Sequence, residues 1–381
     1  MEIFIPAYLE ALSSHLANYV EPELFISTLL ASTEKMLEND QPNVTLKNNF
    51  ESEFNKKLGF DFQDIRQPIE DFYTKYFPSL KNLIEPRSEA MELIKQAFNR
   101  GYQLAIATNP VFPQTAILQR MAWGNLSPEN YDFSLISCYE TFHFTKPNPA
   151  FYAEALAQIG WPEFSTLMVG NDKQADIDPA RELGLAAFWI SQNNGYAQQP
   201  RNEKSPIGIG GLDDILNWID TQLPEQLQPH FDTPTALLSV LKSTPAALDT
   251  FAINMRENFW QEKPNPGEWS MGEITCHLRD VDKEINIPRI RTILEDTNPF
   301  IESIDADPWA EEREYHSQDG AAAFQEFVNY RLELLDMLSS ISEHDWQRDA
   351  RHTIFGPTTL IELVKIFARH DRLHIQQTKK P

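Results

Sequence analysis

The sequence predicts two domains of different class: an α/β domain built on a parallel sheet beneath a helical N-terminal segment, and an all-α four-helix bundle behind it. Three observations carry that expectation. Residues 86–190 alternate short apolar strands with helical stretches, the pattern of a parallel sheet covered on both faces. The alternation ends near the proline-rich stretch "PEQLQPHFDTP" (224–234), which has little periodicity and reads as a linker. Beyond it the strand signal fades and four long helical stretches follow.

Residues 1–80 read as helices. Ile5, Leu9, Leu12 and Leu16 share one helical face, and "LFISTLLASTEKML" repeats the pattern. From residue 86, "PRSEAMELIKQAFNRGYQLAIATNP" predicts a helix closed by Gly101, a strand from Tyr102 to Ala107 and a loop punctuated by Pro110. A helix near 113–122, a strand near 133–138 and a helix near 149–159 follow. Next come a strand at 166–170, a helix near 178–183, a strand at 186–190 and a closing helix in "GGLDDILNWIDTQL". The bundle helices are expected near 235–259, 270–295, 319–341 and 358–377, joined by "KPNPGEW", "TNPF", "DADPW" and "HTIFGPTT". The expected domains are 1–222 (a helical segment, 1–80, and a sheet core, 81–222), a linker at 223–234 and the bundle at 235–381.

Composition narrows the function. With 41% hydrophobic and 23% charged residues, the chain has the makings of a core in each domain. A formal net charge of −24 repels phosphate backbones and anionic headgroups, which argues against nucleic-acid and membrane-surface partners. The longest basic cluster is Lys379-Lys380. Cys138 and Cys276 are expected as reduced, buried thiols, the N-terminus does not read as a signal peptide, and no apolar run approaches the ~18 residues of a membrane span. The expected location is the cytoplasm.

In an open parallel sheet, reactive groups collect at the carboxyl ends of strands. Thr108 follows "QLAIA", where a hydroxyl and the next N–H suit a phosphate oxygen. Lys146 in "HFTKPNPAFY" suits charge neutralisation, and Asp172 and Asp176 in "VGNDKQADI" are hard oxygen donors for Mg²⁺. Each has a plainer reading, as a turn residue, a solvated lysine or helix N-caps. In this order, "ATNP", "KPNPAFY" and "VGND…DI" resemble the second, third and fourth motifs of the haloacid dehalogenase (HAD) superfamily. The resemblance covers residues 1 to about 221 and implies a Rossmann-like core with residues 1–80 as its helical cap. It also implies phosphatase or hydrolase chemistry, with Thr108 and Lys146 binding the transferred group and Asp172 and Asp176 holding Mg²⁺.

The family's nucleophile, the first Asp of a D-x-D-x-[TV] motif on a strand ahead of the cap, has no counterpart here. Asp176-Ile-Asp178 belongs to the fourth motif, and Asp305-Ala-Asp307 comes after every other motif and is followed by Pro308. The missing strand is central in the family's sheet, so its loss is expected to leave unpaired backbone groups on both sides. Two accounts stand: a start at Met1 that lies inside the cap, with the strand encoded upstream, or a natural pseudo-phosphatase with a rebuilt sheet. Either way, the chain as given is expected to be inactive as a phosphatase.

The bundle carries its own constellation. His370 and His374, four apart in "IFARHDRLHIQQ", fall on the face that also holds Leu363 and Phe367. His277 lies one turn after Ile274 and one before Val281, so it points inward as well. Three inward imidazoles without a fourth protein ligand form an open site suited to Zn²⁺, Ni²⁺ or Fe²⁺, with hydrogen-bonded core histidines as the plainer reading. Asp371, Asp280 and Glu273 are candidate partners of those rings, whereas His316, His344 and His352 sit in or near expected loops. "PGEWSMGEITCHLRDVDKE", "DGAAAFQEFVNYR" and "DWQRDARHTIFGPTTLIELVKIFARHDRLHIQQ" resemble the DinB-like family of metal-binding four-helix bundles. That resemblance implies a thiol-dependent transferase or a metal-assisted hydrolase. The expected whole is a fusion of the two modules acting on small molecules, with dimerisation through the bundle. The alternative is a non-catalytic ligand-binding pseudo-enzyme with a metal-stabilised interaction bundle.

Overall fold

Apolar residues at every fourth position give the first helix its buried face: Phe4, Tyr8, Leu12 and Leu16 all point inward. That helix is α1 (Phe4–His15) in this computed structural model, which describes residues 3–191, 205–253 and 259–378. α2 (Pro22–Leu37) starts on Glu21, whose carboxylate accepts from the Glu23 and Leu24 N–H groups at 3.0 and 2.7 Å. α3 (Leu46–Leu58) starts on Thr45 and stops at Gly59, which takes a left-handed φ of +74°. α4 (Arg66–Lys75) closes on α1, with the Tyr8 and Tyr73 hydroxyls bonded at 2.8 Å.

The strand–helix alternation follows as expected through α5 (Ser88–Asn99), β1 (Ala105–Ile106), α6 (Gln114–Trp123), β2 (Leu135–Ile136), α7 (Pro149–Gln158), β3 (Leu167–Gly170), α8 (Asp178–Leu183) and β4 (Ala186–Ile190); a strand that the sequence did not suggest, β5 (Ile207–Gly210), precedes the expected closing helix, α9 (Ile215–Asp220). β1 and β2 are shorter than the expected 102–107 and 133–138. They pair in parallel through Ala105–Leu135 and Ile106–Ile136 alone. The other sheet has the order β3-β4-β5, with β3 parallel to β4 from Leu167–Ala186 to Gly170–Trp189. Among the described residues, β1 pairs on one side only and so does β3. The strands that lead to Thr108 and to Asp172 are therefore both edge strands. Their burial agrees: Ala105 is exposed and Leu167, Met168 and Val169 are half-buried, whereas a central parallel strand is covered on both faces.

The bundle begins with α10 (Pro234–Ile253), which has the length and apolarity to cross a membrane, but 72% of that stretch is buried inside the protein. It is a core helix. α11 (Met271–Val281), a π turn (Asp282–Asn286) and α12 (Ile287–Glu295) form one continuous helical run, followed by β6 (Phe300–Ile301) and α13 (Trp309–Glu312). α14 (Gly320–Ser340), β7 (Asp349–His352), β8 (Gly356–Thr359) and α15 (Leu360–Thr378) complete the chain. Residues 254–258 of the first expected bundle helix and Lys379-Lys380 lie outside the described residues. The connections expected as loops form a small sheet instead, β6 parallel to β7 and β7 antiparallel to β8. Alternation explains it: Ala350 and His352 face inward between exposed Asp349 and Arg351, and Gly356 supplies a left-handed φ of +74° beside the turn.

The chain divides into two compact units, one of residues 1–146, 190–197 and 208–222, the other of 147–189, 198–207 and 223–381. In the second, α7 packs along α10. Ala150, Ala153 and Ala157 on α7 and Ala246 and Ala247 on α10 are wholly buried, and Gln158 Nε2 donates to Thr250 Oγ1 at 3.4 Å. The architecture is an α/β sheet region with a helical N-terminal segment, followed by a helical bundle that carries the small sheet β6-β7-β8.

Candidate metal centre

α11 owes its start to a reciprocal cap: Ser270 Oγ accepts the Glu273 N–H at 3.2 Å, and Glu273 Oε2 accepts the Ser270 N–H at 2.7 Å. That anchor places His277 inside the bundle, 1% exposed. On α15, Leu363, Phe367 and His374 are buried on the inward face and His370 is half-buried beside them. The three rings converge. His370 Nε2 lies 3.0 Å from His277 Nε2 and 3.0 Å from His374 Nε2. One ligand atom from each ring falls within 4.8 Å of the others.

Burial, reinforced by the neighbouring rings, pushes His277 down to about 2 and His374 down to about 4. Burial and then the Arg331 charge push His370 down to about 4. All three are neutral near pH 7, which is the form that ligates metals. Gln377 Oε1 lies 3.0 Å from His374 Nδ1, so that nitrogen carries the proton and Nε2 keeps a bare lone pair. The buried His277 Nδ1 has no partner among the described residues. Convergent Nε2 atoms and neutral imidazoles fit one divalent transition ion.

The three candidate carboxylate partners do not serve the rings. Asp371 and Asp280 are buried rather than solvated, but Asp371 pairs with Arg331, and Asp280 accepts from Arg279 (2.7 Å), Arg313 (2.7 Å) and Tyr315 (2.9 Å). Glu273 closes its own cap and binds Lys263 at 2.9 Å. Trp269, which the sequence reading passed over, stacks on His374 with ring centres 5.7 Å apart and lies 4.9 Å from His277. Gln377 was also missed, although its spacing of three from His374 was readable. His352 is in β7 and buried, with its Nδ1 facing the Ile354 and Phe355 N–H groups at 3.2 and 3.5 Å, a local structural role.

The sheet-end candidates fall in both units. In the first, Thr108 follows β1 half-buried, and its carbonyl accepts the Ser137 hydroxyl at 2.7 Å. Asn109 Oδ1 accepts the backbone N–H of buried Lys146 at 3.1 Å, tying that segment to the Thr108 loop. In the second, Asp172 and Asp176 come together at the end of β3. Asp176 Oδ2 accepts the Asn171 and Asp172 N–H groups at 3.1 and 3.0 Å, and Asp172 Oδ1 accepts those of Gln174 and Ala175 at 2.9 and 3.0 Å. Each carboxylate thus turns one oxygen to the loop backbone, and Asp172 does so as the N-cap of the turn that follows β3. Gly170 is needed for the approach, because a Cβ there would meet Asp176 Cβ at 2.3 Å. Asp178, the second aspartate of the rejected D-x-D, pairs with Lys173 at 2.8 Å.

Residues 13–190 match the family model of haloacid dehalogenase-like hydrolases, and residues 241–378 match that of the DinB superfamily. The chain is 29% identical over 158 residues to a phosphoglycolate phosphatase of Mesorhizobium japonicum, covering 41% of this chain and 63% of that protein. It is 29% identical over 145 residues to a pyrimidine 5′-nucleotidase of Streptococcus pneumoniae, covering 37% and 56%. A phosphoserine phosphatase of Thermus thermophilus is 27% identical over 128 residues, covering 34% and 49%. The chain therefore spans about half to just under two thirds of the length of these relatives. Among solved structures, YfiT from Bacillus subtilis, described as "a probable metal-dependent hydrolase with an unusual four-helix bundle topology", matches with TM-score 0.34 and 19% identity over 38% of this chain and 82% of that one. A HAD phosphatase from Thermococcus onnurineus matches with TM-score 0.36 and 16% identity over 58% and 92%.

Proposed function

This chain joins a haloacid dehalogenase-like hydrolase domain to a DinB superfamily bundle, and from that premise we propose that its working chemistry resides in the bundle. His277, His370 and His374 hold one divalent ion, with Zn²⁺, Ni²⁺ and Fe²⁺ all suited to imidazole. When bound, the ion would lower the pKa of a water or small thiol at its open position. Gln377 keeps the His374 Nε2 lone pair aimed inward, and the Trp269 ring stacks on the His374 ring. The reaction class is addition of that nucleophile to a small electrophile, as a thiol-dependent transferase or a metal-assisted hydrolase. The observation that carries the reading is the convergence of three neutral Nε2 atoms.

The N-terminal domain is of phosphatase type. Asp172 and Asp176 would hold Mg²⁺ there, and Thr108 and Lys146 would bind a phosphoryl group. Thr108, Lys146, Asp172 and Asp176 are binding groups, and aspartyl-phosphate turnover needs a nucleophilic Asp besides them. Two buried free cysteines accord with a reducing, cytoplasmic setting, and dimerisation through the bundle belongs to the same proposal.

The test is His374→Ala with elemental analysis of purified protein. Bound transition metal should fall from one ion per chain to none, and unchanged stoichiometry refutes the triad. Transfer of a simple thiol to a simple electrophile, assayed on the same preparations, tests the reaction class.

A further inference from the structure

One buried guanidinium reaches every long helical run of the bundle. Arg331, midway along α14, is 0% exposed. Its Nε donates to Asp282 Oδ2 at 2.7 Å, its Nη1 donates to the Leu241 carbonyl of α10 at 2.8 Å and to Asp371 Oδ2, and its Nη2 donates to Asp371 Oδ1 at 3.1 Å. Phe327, one turn earlier, packs against the guanidinium 4.7 Å from its ring centre. Asp282 opens the π turn that follows α11, a little over one turn beyond His277. Asp371 directly follows His370 and precedes His374 by one turn. The two carboxylates that grip Arg331 thus lie on the two runs that carry the histidines, while Arg331 lies on neither.

We propose that Arg331 is a positioning residue for the histidine triad: by holding Asp282 and Asp371 at once it sets the axial register of α15 against α11, and so the convergence of the three Nε2 atoms. This rests on the metal reading above. Metal–ligand distances tolerate about 0.2 Å, whereas a slip of one residue along a helix moves a side chain about 1.5 Å. Apolar packing is non-directional and specifies such a register weakly, but a planar fork bonded to two carboxylates specifies it closely. Stability alone does not account for the cluster, because well-packed apolar residues often replace a buried ion network without loss. Its placement on the two ligand-bearing runs is what register explains.

The test uses the full chain stripped of metal: the wild type, the triple variant Asp282→Leu/Arg331→Met/Asp371→Leu, and Asp282→Asn. Zn²⁺ binding is titrated by calorimetry, and the metal-free forms are melted and crystallised. The triple variant should fold with a similar melting temperature, bind Zn²⁺ roughly 10- to 100-fold more weakly, and show α15 displaced along α11. Asp282→Asn keeps the volume and an acceptor oxygen but loses the charge, and should bind nearly as the wild type does. Wild-type affinity in the triple variant, or an undisturbed triad in its crystal structure, overturns the proposal. An Asn variant as weak as the triple assigns the effect to charge and overturns it too. Should the triple variant not fold, Arg331→Lys, which keeps the charge and lacks the fork, must show the weakening or the proposal fails. A wild type that takes up no Zn²⁺ refutes the triad reading instead, and the crystal structures of the variants still decide whether Arg331 sets the register.

Discussion

Lowering the pH from 7.5 to 5.5 should destabilise the metal-free bundle by about 4 kcal/mol. The sign follows from the depressed imidazoles. His277, held down at about 2, and His370 and His374, at about 4, bind no proton in the folded state across this window. Unfolded, each returns to about 6.5 and takes up a proton as the pH falls below that value, so the unfolded state gains protons and stability drops. One unit below 6.5 the cost is about 1.4 kcal/mol per ring, hence about 4 kcal/mol for three. This figure depends on the unfolded state alone, provided the folded values stay well under 5.5. Burial raises the Asp282 carboxyl, which works in the opposite direction, so the decisive comparison is with His277→Gln. Native-state hydrogen exchange of the slowest α11 and α15 amides reads the opening free energy at both pH values. His277→Gln should shrink the pH effect by about 1.4 kcal/mol. An effect below about 1 kcal/mol in the wild type, or one that the Gln variant leaves unchanged, would refute the assignment of neutral, acid-labile imidazoles.

Other consequences are as direct. Gln377→Ala should weaken Zn²⁺ binding roughly 10- to 100-fold in calorimetric titration, because the His374 ring loses the acceptor that fixes its tautomer. Gly170→Ala should destabilise the second unit by about 1–3 kcal/mol in urea unfolding, since the new Cβ would sit 2.3 Å from Asp176 Cβ. Ser270→Ala removes one half of the reciprocal cap on α11 and should lower bundle stability by about 1 kcal/mol, read as faster exchange in the first turn of that helix.

What the sequence revealed of the fold was what local periodicity encodes. Helices whose buried faces repeat every three or four residues, such as α14 and α15, fell where expected, and in α1 the expected face holds for Leu12 and Leu16 but Phe4 and Tyr8 take the buried places of Ile5 and Leu9. The uninterrupted run 271–295 also fell where expected, because a π turn at 282–286 widens the spiral without ending it. The strands at 102–107 and 133–138 were overestimated for a non-local reason. An apolar hexamer has the composition of a strand, but its length as one is decided by neighbours, and among the described residues β1 and β2 pair only with each other. The small sheet β6-β7-β8 was missed for the converse reason: its strands are short, "TNPF" and "HTIFGPTT" carry turn residues, and the partner of β6 lies about 50 residues away.

The same division runs through the candidate site. His370 and His374 were legible because a spacing of four is a statement about one helix, and His277 because Ile274 and Val281 mark its inward face. The expectation that nearby Asp371, Asp280 or Glu273 would serve the rings failed because proximity in sequence does not choose a hydrogen-bond partner. Asp371 follows His370 directly, yet its side chain leaves the site for Arg331, forty positions back along the chain on another helix. A buried carboxylate goes to the strongest donor within reach, and a guanidinium outcompetes an imidazole N–H for it. His374 is consequently left to a neutral amide, Gln377, which orients the ring without adding negative charge. That gives His374 a weaker electron-donating partner than a carboxylate would be, and in the proposed metal site it would leave a bound ion the stronger Lewis acid. If the site activates a water or thiol as proposed, diverting Asp371 to Arg331 serves both roles at once: register from the ion pair, and electrophilicity from the amide.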